Sequence, residues 1–152
     1  MILALAIAVA VFVADFLIKT RLLQNFSQGS LPVIKNIFHI TLVTNKGAAF
    51  GILQGKTELL ISIGIVFIII FFLIAKKDIK KSLTLAIAFG LILGGAASNL
   101  YDRIFLGFVV DYLDFRIWPV FNLSDTSICI GVGLIILSSF RKSKITKQNG
   151  ND

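Results

Sequence analysis

Apolar residues in this chain gather into four long runs. The first covers Met1 to Ile18 and is broken only by Asp15. The second covers Leu59 to Ala75. The third covers Leu83 to about Leu100, with Ser98 and Asn99 near its end. The fourth covers about Phe121 to Phe140, with Asn122 and Asp125 in its first turns. A helix rises 1.5 Å per residue, so runs of 17 to 20 residues span roughly 30 Å, the thickness of a bilayer's hydrocarbon core. Backbone groups inside lipid must find partners within their own segment, so all four runs are predicted to be helices.

Between the first two runs lies segment 20–57, the largest piece outside the membrane. Ile37 to Thr44 alternates and is rich in β-formers, and Asn45-Lys46-Gly47 is a turn signal. A small β-rich segment on the membrane surface is expected there. The fold class is therefore integral membrane and mainly α, with four transmembrane helices and one membrane-embedded domain over residues 1–152. Gly90 and Gly94, four apart on the third helix, fit close helix packing. The first run lacks a basic leader, and Asp15 to Ile18 is a poor cleavage site, so it is expected to stay as a helix. The last eight residues read as a polar tail.

Composition sharpens this picture. The 152 residues are 57% hydrophobic and only 15% charged, more apolar surface than one soluble core of that size could hide. The formal net charge is +7. Eight of the fifteen Lys and Arg sit in two clusters, Lys76 to Lys81 and Arg141 to Lys147, each flanking an apolar run. That is the positive-inside pattern, not a nucleic-acid-binding face. It puts both termini in the cytoplasm and segments 20–57 and 101–120 outside. Cys129 is the sole cysteine, which excludes an internal disulfide and a metal-ligand spacing. It is expected to be a buried small hydrophobe.

The candidate chemistry lies in the eight acidic residues. A carboxylate in the middle of a membrane helix costs about 2.5–3.5 kcal/mol on insertion scales, so one retained there has a task or a partner. Asp15 and Lys19 are four apart on one helix face and suit an ion pair. Asp111 ends the apolar run Phe108-Val109-Val110, and Asp125 lies one turn into the last helix, so both fall near the outer interface. Two carboxylates in a poorly solvated site cannot both ionise easily. The ionised one can then take a proton from water while the other donates to a carbonyl. Paired acids of this kind also serve ion and proton transport. Local readings exist for the neighbours: Asp102 with Arg103 and Asp114 with Arg116 as charge pairs, Asn99 and Asn122 as helix caps, and Trp118-Pro119 as an interfacial aromatic before a helix. His39 stands alone in its strand.

Four blocks together resemble the lipoprotein signal peptidase family. Asp15-x-x-x-Lys19 is similar to the first box. Asn45-Lys46-Gly47-Ala48-Ala49-Phe50-Gly51 is similar to Asn-x-Gly-x-Ala-Phe-Gly. Gly94 through Asp111 resembles Gly-Gly-Ala…Asn-Leu-x-Asp-Arg…Gly-x-Val-Val-Asp-Phe, and Trp118 through Asp125 resembles Trp-Pro-x-Phe-Asn-x-Ala-Asp. Ser98 stands where Gly is common, Tyr112 where Phe is common and Ser124 where Ala is common.

The resemblance implies a catalytic pair, Asp111 and Asp125, with Asn45, Gly47, Asn99, Arg103, Asn122, Asp15 and Lys19 as binding or supporting residues. It implies an aspartic endopeptidase of the bacterial inner membrane that cuts a prolipoprotein before its diacylglyceryl-modified Cys, near the outer face. It further implies no metal or organic cofactor, membrane lipid as a partner, and inhibition by cyclic peptide antibiotics such as globomycin. Segment 20–57 is large enough to cover such a site, with Gly47 and Gly51 as hinges or turn residues and Phe50 as an apolar contact. A small transporter would instead show an internal repeat or a broken helix, and neither is visible. A membrane adaptor would not need both Asp111 and Asp125.

Overall fold

The computed structural model describes residues 1–26, 29–48, 52–79 and 82–148. Four helices carry the fold: α1 (Ile2–Asn25), α2 (Thr57–Asp78), α3 (Leu83–Phe105) and α4 (Leu123–Gln148). Each contains a stretch long and apolar enough to cross a membrane. The helices outrun the apolar stretches because helical hydrogen bonding continues through polar residues at either end. α1 extends through Lys19 and Arg21, and Asn25 donates back to the Arg21 carbonyl at 2.9 Å. The expected surface segment therefore begins inside a helix. Likewise 145–148, read as tail, continues α4, and 149–152 lie outside the described residues.

α3 is the axis of the bundle and packs on all three other helices. Half of its span is buried, against 6% of that of α2. Small residues make this possible. A Cβ placed on Gly90 would stand 2.6 Å from the Ala4 carbonyl oxygen, and one on Gly94 would stand 2.5 Å from that of Ala8. A Cβ on Gly95 would likewise stand 2.5 Å from the Ser124 carbonyl oxygen of α4. The pair of glycines thus does the close packing that its spacing suggests. Gly94→Val should push α1 off α3 and lower stability by about 1–3 kcal/mol, as overpacking typically does. Thermal unfolding in detergent would read the loss. Gly133→Ala, whose added Cβ meets nothing within 4 Å among the described residues, should melt no lower than the parent.

A three-stranded antiparallel sheet caps one end of the bundle, in the order β1 (Ser30–Ile34), β2 (Phe38–Asn45), β3 (Val109–Asp114). Pro32 lies on the edge strand β1, where a missing N–H costs no internal ladder bond. The third strand is not foreseen by the sequence reading, which leaves Asp111 in a loop. Gly107, at φ 80°, stops α3 and turns the chain into β3. β2 carries a bulge: His39 and Ile40 pair with Asp114 and Leu113, but Val43 and Asn45 pair with Asp111 and Val109. The register shifts by one residue between Ile40 and Val43, so the two halves of β2 present their odd-numbered side chains to opposite faces.

Candidate active site

Asp125 is fixed by the start of α4. Asn122 precedes the helix, and its Oδ1 accepts the Asp125 N–H at 2.8 Å, while Asp125 Oδ2 accepts the Asn122 N–H at 3.2 Å. This reciprocal cap satisfies two amides that the helix cannot. The Asn122 amide nitrogen is left to donate elsewhere, to Asp111 Oδ1 at 2.7 Å, Asn99 Oδ1 at 3.1 Å and the Val110 carbonyl at 3.3 Å. One asparagine therefore touches both carboxylates. Asn122 is the cap the sequence suggests, and a bridge between the two carboxylates as well.

Two more amides complete the frame. Asn45 Nδ2 donates to Asp111 Oδ2 at 2.9 Å, and Asn99 Nδ2 donates to Asp125 Oδ1 at 2.8 Å. The orientation of Asn99 is set by Lys19, whose ammonium donates to Asn99 Oδ1 at 3.1 Å. An ammonium has no acceptor, so the amide oxygen must face it and the amide nitrogen must face Asp125. Asn99 lies within α3 and caps nothing, unlike the capping role its residue type suggests.

Beneath this frame is a buried ion triad. Lys19 Nζ lies 2.7 Å from Asp15 and 2.8 Å from Asp102, and Asp102 also accepts the Val110 N–H at 3.1 Å. The Asp15–Lys19 pair expected from spacing is present, but as part of a network reaching α3 and β3. Asp102 does not pair with Arg103, because neighbours on a helix point to different faces. Arg103 instead donates to the carbonyls of Gly47 at 3.1 Å and Asn99 at 3.3 Å. Sequence reasoning thus misses Asp102 as a partner of Lys19. Its place in the Asn-Leu-x-Asp-Arg block marks Asp102 as a candidate but does not name its partner.

Asp111 is 2% exposed. Burial first, and the neighbouring Asp125 charge second, push its carboxyl up to about 7, against the pull of the Asn45 and Asn122 donors. Asp114, three residues on, faces the other side of β3. It accepts from Thr41 at 2.8 Å and from the Arg116 guanidinium at 3.1 Å, and these partners, Thr41 first, hold it below the usual carboxylate range. Asp114–Arg116 is the local pair that the sequence suggests, with Asp114 buried and Arg116 open to solvent. His39 is not isolated: its Nδ1 lies 2.8 Å from Ser30 Oγ.

Asp111 and Asp125 line a cavity of about 1050 Å³. Val43, Val109, Phe121 and Ile128 supply apolar wall, and Trp118 is half exposed beside it. Asn45 through Ala48 and Gln54 form one side, whose loop is pinned by Gly55 N–H to the Lys46 carbonyl at 3.1 Å. Phe50 and Gly51, the expected contact and hinge, lie outside the described residues. Cys129 corrects the sequence reading: it is exposed and lines the cavity. It follows Asp125 by four residues and so shares its helix face, which looks into the cavity and not into the bundle.

Comparison with known proteins agrees with this architecture. A bacterial membrane enzyme solved in meso at 2.3 Å superposes with a TM-score of 0.87 at 34% identity, over 92% of this chain and 88% of that one. A second, at 1.9 Å, gives 0.81 at 36% identity, over 89% and 90%. The fold is that of a bacterial membrane enzyme. Residues 7–141 match the family described as signal peptidase (SPase) II. The lipoprotein signal peptidase of Halothermothrix orenii is 46% identical over 140 residues, 91% of this chain and 96% of that protein. Those of Desulfitobacterium hafniense and Nostoc punctiforme are 47% and 45% identical, over 84% and 89% of this chain and 85% and 89% of theirs. The chain belongs to the signal peptidase II family. It is accordingly a membrane-spanning peptidase, a hydrolase of lipoprotein processing.

Proposed function

We propose that this chain is an aspartic endopeptidase that removes signal peptides from diacylglyceryl-modified prolipoproteins, cutting before the lipidated Cys. The observation that carries the reading is Asn122, whose single side chain and backbone hold Asp111 and Asp125 together at a cavity with apolar walls. Asp111, with its carboxyl raised to about 7, keeps the shared proton and donates it to the scissile carbonyl oxygen. Asp125 takes a proton from the attacking water. The new C–O bond forms as the carbonyl π-bond opens, and collapse of the tetrahedral intermediate expels the amine with a returned proton. Asn45 and Asn99 hold the carboxylates by donation, and Arg103 ties the Gly47 loop to α3. The cavity walls receive the acyl chains, and globomycin-type cyclic peptides compete for the same space.

Purified protein incubated with a diacylglyceryl-modified prolipoprotein should yield a shortened product, and globomycin should block it. No product from a folded preparation would sink the reading. In the proposed placement this site faces outward in a bacterial inner membrane. α1 and α3 end, and α2 and α4 begin, on the side of the sheet. Lys76, Lys77 and the run from Arg141 to Lys147 lie at the opposite ends, which positive-inside bias puts in the cytoplasm together with both termini. With Cys129→Ala as background, Asp78→Cys and Gln148→Cys should resist an impermeant thiol reagent in intact cells. Labelling of either would overturn that orientation.

A further inference from the structure

Three residues depart from the pattern this family resemblance sets: Ser98 for Gly, Tyr112 for Phe, Ser124 for Ala. Each departure adds one hydroxyl, and all three hydroxyls go to one acceptor. Ser98 Oγ donates to Asp15 Oδ2 at 2.7 Å, and Ser124 Oγ donates to the same oxygen at 2.6 Å. Tyr112 Oη donates to Asp15 Oδ1 at 3.0 Å. The donors come from α3, α4 and β3, while Asp15 sits on α1 with no exposed surface.

The direction of these bonds follows from the chemistry. Asp15 is paired with the Lys19 ammonium at 2.7 Å and can only accept. Burial first, then the Asp15 charge, push the Tyr112 phenol up, so it keeps its proton. Its oxygen meanwhile accepts the Leu123 N–H, at the first residue of α4, at 3.1 Å. Two of the three residues adjoin the candidate catalytic pair, since Tyr112 follows Asp111 and Ser124 precedes Asp125. Strand alternation turns Tyr112 into the bundle while Asp111 faces the cavity.

We propose that Ser98, Tyr112 and Ser124 are positioning residues whose hydroxyls tie α3, β3 and the first turn of α4 to Asp15, fixing how Asp111 and Asp125 face each other. The proposal rests on the reading of that pair as catalytic. Hydroxyl bonds to an ionised carboxylate are short and roughly twice as strong as neutral ones. Asn122 links the two catalytic side chains, and the hydroxyls hold the backbone stretches that carry them. Ser98 adjoins Asn99, which orients Asp125, so its influence is one step further removed.

The test uses purified full-length protein and a diacylglyceryl-modified prolipoprotein, with rates referred to folded protein. Tyr112→Phe and Ser124→Ala should each lower kcat roughly 10- to 100-fold, the scale of a small misplacement of reacting groups, with KM unchanged. Both should draw the two limbs of the pH–kcat profile together, because carboxylates that drift apart titrate more independently. Ser98→Ala should do the same to a smaller degree. Ser124→Gly, which also lacks the hydroxyl, stands in if Ser124→Ala fails to insert. Ser139→Ala removes a hydroxyl that donates to the Ile135 carbonyl on α4 and should leave kcat unchanged. Variants that melt earlier but keep the parent kcat and pH limbs would overturn the proposal and leave the hydroxyls as solvation for Asp15 alone. A parent protein that does not cut the prolipoprotein would overturn the catalytic reading instead, before any variant is compared.

Discussion

Asp111→Asn and Asp125→Asn should each lower prolipoprotein cleavage by about 10²–10⁴-fold, the usual contribution of a general acid or base, while the protein stays folded in the membrane. Asn keeps the shape and one of the two acceptor oxygens but cannot pass a proton. Asp114→Asn, on the opposite face of β3, should be mild by comparison. The pH dependence has a definite sign. The Asp111 carboxyl is raised to about 7, so the protonated form the mechanism needs is lost, and activity falls, as pH rises through 7. The same group binds a proton in the folded protein at pH values where the unfolded chain has released it. Its contribution to stability is full below the ordinary carboxylate range and is lost as pH rises through about 7. Asp111→Asn escapes that loss, so above pH 7 the inactive variant should melt roughly 2–8 °C higher than the parent. Equal or lower melting, together with retained cleavage, would remove Asp111 from the pair.

The second large effect belongs to Lys19. Its ammonium is the shared partner of Asp15 and Asp102, which are 0% and 3% exposed. Lys19→Met keeps the bulk of the side chain and removes the charge, leaving two carboxylates in the bundle without their cation. Breaking a buried pair from one side typically costs about 3–5 kcal/mol, a large share of what holds a domain of this size. The measurement is the amount of folded protein in the membrane and its thermal midpoint in detergent. Adding Asp102→Asn to Lys19→Met should recover part of the loss, because one of the stranded charges is then gone. A Lys19→Met protein as stable as the parent would show that the triad contributes nothing to the fold.

Residue order carries the helical part of this fold because lipid enforces it: Leu59 to Ala75 can be nothing but a helix in hydrocarbon. β3 has no such enforcement. Val109 to Asp114 is too short and too mixed to announce a strand, and it becomes one only because β2 lies beside it. The same distinction holds at the site. Asp111 and Asp125 stand out by being acids next to apolar runs, and Asn122 by its place before a helix. The partnership of Lys19 with Asp102, 83 positions away by number and on another helix, has no local signature. Nor does the exposure of Cys129. An apolar neighbourhood along the chain says that a residue avoids water, but lipid and a greasy cavity avoid water as well as a protein core does.

The bulge in β2 imposes a rule of parity on this end of the molecule. Between Ile40 and Val43 one extra residue reverses the strand, so Thr41 reaches Asp114 on one face while Asn45 reaches Asp111 on the other. Straightening β2 at its present length would slip its second half by one place, and that regularity would be the damage. Asn45 would swing to the far face and leave Asp111 with one donor fewer, with Asn122 still in place. Deleting the extra residue removes the bulge and leaves both halves facing as they do now, since Val43 to Asn45 keep Asp111 to Val109 as partners. Relatives of this chain one residue shorter between Ile40 and Val43 are therefore expected to have an unbulged β2 that still turns the residue matching Asn45 toward the one matching Asp111.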